Sequence, residues 1–469
     1  MRLRSGRSVV TPRALCVPPA GRRMSAVVTA LPGETGLSAW DACFRPQRLF
    51  PSLERDESCD FLVIGAGYAG LSAARALRLD QPGARIIVLE ALRVGQGAAG
   101  RNAGFMIDVT HDLGSDDYAG EAHADRQTMR ENRLAIDFAL AAAADYDFEQ
   151  GIMVRSGKIN AACSERSLAL ARRYAAHLRK LGEPCTELDG DDLARITGSP
   201  YYTGGVHTPG TVMIQPAAYI KSLALGLWRD GVRVLECTPV LALEYVPGLA
   251  ARTAAGTIRA GRIILATNGH VRAFGHYRRQ LMDITTFASI TAPLSADQAR
   301  ALGGEAAWSL TPAAPHGSTV RRVRGALYGG DRLFFRSLFK ATGLGAASAR
   351  LLARAQREHR IGIQRRYPVL KDVTLSHSWA GRLCLSTNAG SAVAEVETGV
   401  VTACCQNGLG TVRGTFNGML AARITLGLPT DGLAPGGWRQ PARVPPQPLL
   451  RPALNAYLSW KRHEDAHEC

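Results

Sequence analysis

The chain reads as an α/β protein in which a parallel sheet covered by helices is interleaved with an α+β region built on an antiparallel sheet. Three observations carry this. The apolar run Phe61-Leu62-Val63-Ile64 leads into Gly65-Ala66-Gly67-Tyr68-Ala69-Gly70, a helical pattern through Leu71, Ala74 and Leu77, and a second apolar run that ends on Glu90. A third apolar strand with a small-residue end, Ile263-Ile264-Leu265-Ala266-Thr267-Asn268-Gly269, returns about 200 residues later, as a sheet split by an insertion requires. Alternating stretches, Thr285 to Pro293 and Val373 to Trp379, carry the period of half-buried strands.

The first of these is a Rossmann-type dinucleotide-binding unit. Gly65 lets the strand turn sharply, Gly67 removes a side chain where a pyrophosphate meets backbone, and Gly70 lets the helix approach the sheet. The helix start offers free N–H groups and partial positive charge to phosphates. Glu90 ends the second strand, where a carboxylate accepts both hydroxyls of an adenosine ribose and repels a 2′-phosphate, so NADP is disfavoured.

The chain has 469 residues, enough for two interleaved domains, and its 46% hydrophobic and 20% charged content is that of an ordinary globular protein. Formal net charge is +16, yet Arg2, Arg4, Arg7, Arg13, Arg22 and Arg23 stand together at the start and no basic run is interleaved with aromatics. That argues against nucleic acid and for a basic surface that favours anionic substrates. The acid-free start has the composition of an organelle transit peptide; the simpler expectation is that Met24 is the true first residue. Ten scattered cysteines without C-x-x-C spacing fit a reduced, cytoplasmic compartment and no metal site. No apolar stretch is long enough for a transmembrane helix.

Taken in order, residues 24–58 read as an extended arm with Trp40 and Phe44 as anchors and no chemistry. Helices follow over Gln127 to Asp147 and Ser164 to Leu181, the latter with Ser164 as N-cap and Gly182 past its end. Gly151 to Asn160 reads as a short strand pair. Pro216 opens a helix that Gly231 stops. Val232 to Glu244 reads as a strand with Thr257 to Leu265 as its partner, and Ala326 to Arg336 as a hairpin with a Gly-Asp turn. Leu344 to Ile363 is a basic amphipathic surface helix, Val412 to Leu426 a helix rich in small residues, and 429–469 a Pro/Gly-rich tail with a short helix to about Lys461.

Beyond Glu90 the loop Gly97-Ala98-Ala99-Gly100-Arg101-Asn102-Ala103-Gly104-Phe105 suits close backbone approach to a flat ring. Here the sequence resembles the FAD-dependent amine and amino-acid oxidase superfamily of D-amino-acid oxidase and sarcosine oxidase type. It stands nearest the γ-glutamylputrescine oxidoreductase branch, whose loop is similar to G-A-S-G-R-N-G-G. The strand end Leu265 to Gly269, Trp379-Ala380-Gly381 and the helix opening Gly408-Leu409-Gly410-Thr411 extend the resemblance over roughly Asp56 to Leu428.

The resemblance implies a discontinuous FAD domain (59–125, 204–275, 372–428) and a substrate domain (126–203, 276–371). It implies noncovalent FAD held by Gly65 to Gly70, Glu90, Ala91, Gly100 to Gly104, Val240, Ala266 to Gly269, Trp379 and Gly408 to Thr411. The implied reaction is oxidation of an amine or amino-acid C–N bond to an imine by hydride transfer to flavin N5, with O2 or another acceptor taking the electrons. Amine oxidation needs no obligatory acid or base, because the substrate can enter as the neutral amine. His377 and Trp379 are the ring-facing candidates, with a hydrogen-bonded strand histidine and a packing indole as the plainer readings. Arg332 and Arg336 are candidates for a carboxylate clamp.

Cys384 lines up with the place where monomeric sarcosine oxidase carries its cysteine-linked flavin, whereas a buried strand cysteine is the ordinary finding. The lysine that sarcosine oxidases place after the helix-opening glycines is Val412 here, beside Arg413, which leaves a dehydrogenase open. An NAD-dependent dehydrogenase, and a non-catalytic flavin- or nucleic-acid-binding protein, are the rival readings of the same residues.

Overall fold

A computed structural model describes residues 24–44, 48–435 and 437–468. The basic stretch 1–23, and with it the choice between transit peptide and late start, lies outside the described residues. Four parallel pairings build the first sheet: Arg233–Leu235 on Ile86–Leu89, that strand on Glu57–Ile64, that one on Thr257–Leu265, and Thr257–Leu265 on Val400–Thr402. The carboxyl ends of its central strands are buried because helices cover the face that would otherwise meet water. Helix Tyr68–Asp80 buries ten residues there and packs against helix Gly410–Thr425. The two approach at Gly414 and Gly418, where a β-carbon would press on Tyr68 or overlap the Ala69 carbonyl oxygen.

The second sheet has eight strands in the order Leu375–Leu385, Met282–Thr291, Arg332–Ala341, Thr319–Val323, Trp308–Pro312, Lys158–Ala162, Gly204–Thr208, Thr186–Asp189. All its pairings are antiparallel except Trp308–Pro312 on Lys158–Ala162. A three-stranded sheet of Phe105–Met106, Val212–Ile214 and Met153–Arg155 joins the two.

Helix Glu165–Leu181 is capped by Ser164, whose hydroxyl accepts from Ser167 N–H, and is stopped by Gly182 in the left-handed region, as expected. Several short-range expectations are corrected. Met153–Arg155 and Lys158–Ala162 do not pair; each joins a different sheet. Val232 to Glu244 is two strands: Arg233–Leu235 follows Ile86–Leu89, while Ala242–Glu244 pairs with Ala250–Arg252, which in turn pairs with Thr257–Leu265. Residues Ala326–Tyr328 form a helical turn, and the hairpin lies between Thr319–Val323 and Arg332–Ala341.

The domain limits also shift. Helix Ala122–Asp145 packs on Gly410–Thr425 through the Glu131–Arg413 ion pair, on the nucleotide side, and Gly204–Thr208 lies within the eight-stranded sheet. The helix of the tail runs from Gln447 to Glu464, and the Glu468 carbonyl accepts from Ser318 N–H at 2.8 Å and Arg366 Nη2 at 3.0 Å.

Candidate active site

Where the two sheets meet, a groove runs along the carboxyl ends of the parallel strands, where α/β folds bind ligands. Its floor is the glycine turn. Gly65 adopts φ +106°, and a β-carbon at Gly70 would overlap the Gly65 carbonyl oxygen, so strand and helix meet only through glycine there. Gly67 precedes the helix without a side-chain cap, which leaves the first-turn N–H groups for an anion. Glu90 takes Ala66 N–H on one oxygen and Leu92 N–H on the other, both at 3.0 Å, fixing the turn against the second strand. Burial raises its pKa, and the two amide bonds oppose the rise. A carboxylate keeps lone pairs beyond these two, so it can also serve a ribose.

Gly65 to Ala69, Glu90, Ala91, Asn102, Val240, Ala266 to Gly269, Gly408 and Gly410 line this groove. Gly100 does not; it packs on the Gly95 backbone. The groove is floored by uncapped helix N–H groups and its lining is mostly apolar, so these residues fit FAD.

A second cavity adjoins the first and shares Ala98, Asn102, Gly408, Gly410, Arg382 and Leu383 with it. Arg101, Ala103, Gly104, Leu409 and Thr411, expected around the cofactor, line this cavity instead. The loop is held rigidly at their junction. Asn102 donates to Ala99 O at 2.7 Å and Tyr68 Oη at 3.0 Å while accepting from Gly104 N–H at 2.8 Å. Arg101 binds four backbone carbonyls: Gln96, Thr35, Gly36 and Ala380. Its guanidinium is therefore a fastener between loop, arm and strand.

Arg336 faces the second cavity, as the clamp reading requires, with Nη2 on Thr319 Oγ1 at 2.6 Å. Burial lowers its pKa to about 10, so it stays cationic at neutral pH. Arg332 does not reach it. That side chain is spent on the Gly329 and Thr291 carbonyls and the Ser376 hydroxyl. His377 lies outside both cavities, half-buried on Ser376 Oγ at 3.0 Å, because its end of the strand has passed the groove. Trp379 is fully buried; its indole N–H donates to Arg101 O at 2.9 Å, and it packs against Trp40 and Phe334 behind the loop. Cys384 does line the groove, and contact with Cys405 together with burial raises its thiol pKa well above the usual range.

The structure adds residues that carried no signal in the sequence. The arm roofs the groove: Val28, Ala30, Leu31, Pro32 and Glu34 line it. Glu34 lies 3.8 Å from Arg101 and 4.0 Å from Arg382, and burial raises its pKa against the pull of both. His111 and Tyr118 line the second cavity, their rings stacked at 3.9 Å. Burial, then the cations Lys158 and Arg336, push the His111 pKa well down, so the imidazole is neutral. An acidic residue in a Pro-rich arm and a histidine in an unpatterned stretch look ordinary until folding brings them to the site.

Comparison with known proteins agrees with this geometry. The family model described as "FAD dependent oxidoreductase" (DAO) matches residues 60–424. The chain is 27% identical over 418 residues to the "Probable oxidoreductase OrdL" of Rhizobium meliloti (strain 1021), covering 85% of this chain and 90% of that one. It is 27% identical over 272 residues to the gamma-glutamylputrescine oxidoreductase of Escherichia coli (strain K12), covering 54% and 59%. Among solved structures, glycine oxidase from Geobacillus kaustophilus superposes with a TM-score of 0.66 at 16% identity, covering 80% of this chain and 96% of that one. L-proline dehydrogenase from P. horikoshii gives 0.62 at 17%, covering 81% and 97%; both likenesses are of fold. The chain belongs to the DAO family of FAD dependent oxidoreductases.

Proposed function

We propose that this protein oxidises the C–N bond of an amine or amino acid carrying a carboxylate, to an imine that water then hydrolyses. The observation that carries the reading is Arg336, an enclosed cation in a cavity that adjoins the cofactor groove. Only one of its nitrogens is engaged by a side-chain oxygen, so the planar fork keeps donors for a carboxylate. Bound noncovalently, FAD would supply the hydride acceptor.

The residues of the chain bind, orient and exclude. Arg336 takes the anionic end of the substrate, which sets the distance of the reacting C–H from the groove. Neutral His111 and the Arg336 cation beside it disfavour an ammonium, so the amine sheds its proton as it enters. Asn102 and Arg101 hold the loop between the two cavities in one position. The first-turn N–H groups of helix Gly410–Thr425, which has no side-chain cap, favour negative charge developing beside them.

The test is anaerobic bleaching of the yellow protein by N-methyl amino acids, D-amino acids and γ-glutamyl polyamines, each beside its decarboxylated analogue. Bleaching by carboxylates alone supports the reading; equal bleaching by the analogues overturns it. Colour that stays with the polypeptide after acid precipitation would overturn noncovalent binding and point to Cys384. Admitting air to the bleached protein separates oxidase from dehydrogenase by the speed at which colour returns.

A further inference from the structure

The helix Gln447–Glu464 is apolar on both sides. Its inner side carries Leu450, Leu454 and the buried Leu458, which closes one wall of the second cavity. Its outer side carries Leu449, Ala453, Ala456 and Trp460, spaced i, i+4, i+7 and i+11 and so aligned in one stripe, with Tyr457 beside it. Leu449 is 68% exposed, Trp460 57% and Tyr457 44%. An outward face on a surface helix is ordinarily charged, so a stripe of this kind marks a contact.

The surroundings are basic. Helix Ala349–Arg366 packs on the same strand, Arg332–Ala341, and is joined to this helix by the Arg462–Glu358 ion pair at 2.8 Å. Glu358 is its one acid and also holds Arg354; Glu464 is the one acid of the C-terminal helix and is held by Arg166 and Lys461. Arg350, Arg357, Arg360, Arg365 and Arg451 are exposed and have no acidic partner among the described residues. None of the described helices is long and apolar enough to cross a membrane.

We propose that this face docks on an anionic lipid bilayer, with Leu449, Trp460 and Tyr457 entering the headgroup boundary and the flanking arginines meeting lipid phosphates. A convex helix offers no groove for a peptide. A second copy would present the same arginines and meet repulsion. An anionic lipid surface matches both the charge and the shallow apolar ridge, since Trp and Tyr settle at such boundaries. Docking would place the membrane on the outer side of the helix whose inner side supplies Leu458 to the second cavity. The inference stands apart from the proposed reaction, because it is read by lipid binding.

The test is co-sedimentation of the FAD-loaded protein with vesicles of phosphatidylcholine alone and of phosphatidylcholine mixed with phosphatidylglycerol. Binding about tenfold tighter to the anionic vesicles, weakened by salt, is expected. Two double variants, Leu449→Ser with Trp460→Ser and Arg357→Glu with Arg360→Glu, are each expected to lose about tenfold in vesicle affinity. Flavin absorbance and bleaching are expected to stay unchanged. Equal partition onto both vesicle types, retention by the variants, or a dimer that shields Trp460 in place of lipid binding would overturn the proposal.

Discussion

Lys158 offers a direct test of the electrostatics behind the second cavity. It is 1% exposed, donates to Asn160 Oδ1, and lies 5.7 Å from the centre of the Tyr174 ring. Burial, against the weaker pull of Asp108, lowers its pKa from 10.5 to about 7. Between those values the unfolded chain holds a proton that the folded one has released, so stability rises with pH across that window. Below pH 7 both states are protonated, and the folded state bears the full cost of a buried ammonium, about 5 kcal/mol. Lys158→Met keeps the stem and removes the charge. It strands the Asn160 amide, which costs about 1–3 kcal/mol, so the variant gains about 2–4 kcal/mol at pH 6.

From pH 8 to pH 10 the wild type should gain about 2 kcal/mol on the variant, as the penalty fades in one protein and is absent from the other. Denaturant titrations of the FAD-saturated proteins at pH 6, 8 and 10 measure this. Parallel stability curves, or a variant weaker at every pH, would show that Lys158 is not held as a depressed buried amine.

Gly70→Ala should yield a folded but colourless protein, since the new methyl must push the Gly65 carbonyl out of the turn and press on Ala266 in the groove lining; circular dichroism and the ratio of flavin to protein absorbance read it out. Arg336→Met should raise KM for carboxylate-bearing amines about 10–100-fold and leave uncharged amines nearly unchanged, as loss of a charge-assisted pair predicts. Trp40→Ala should cost about 3–5 kcal/mol, because the indole is fully buried against Phe334, Trp379 and Tyr328, and should also weaken FAD retention through the arm; melting and dialysis follow the two effects.

The nucleotide half was legible because its signals are local. A strand, a glycine turn, a helix and a terminal acid fall within one short stretch, and Ser164 and Gly182 mark helix ends by their own chemistry. The second sheet was legible as a kind of structure but not in its pairings. Met153–Arg155 and Lys158–Ala162 are separated by only two residues, and only partners far along the chain decide that they part. The glycine turn, Asn102 and Arg336 lie at the site as read, whereas Glu34 and His111 reach it only through distant parts of the chain. His377 shares a strand with Gly381, which does face the second cavity, yet falls beyond it because the position where a strand leaves a groove is not written in its alternation. Glu34 meets Arg101 and Arg382 only through the arm's path over the surface.

That path sets an order of events. Trp40 N–H donates to Asn102 O, the Trp40 carbonyl accepts from Gln215, and its ring waits for Tyr328, Phe334 and Trp379. The earliest described segment to leave the ribosome is thus among the last to find its seat. The roof that the arm lays over the groove is therefore completed only when the loop, the helix start and the eight-stranded sheet are all in place.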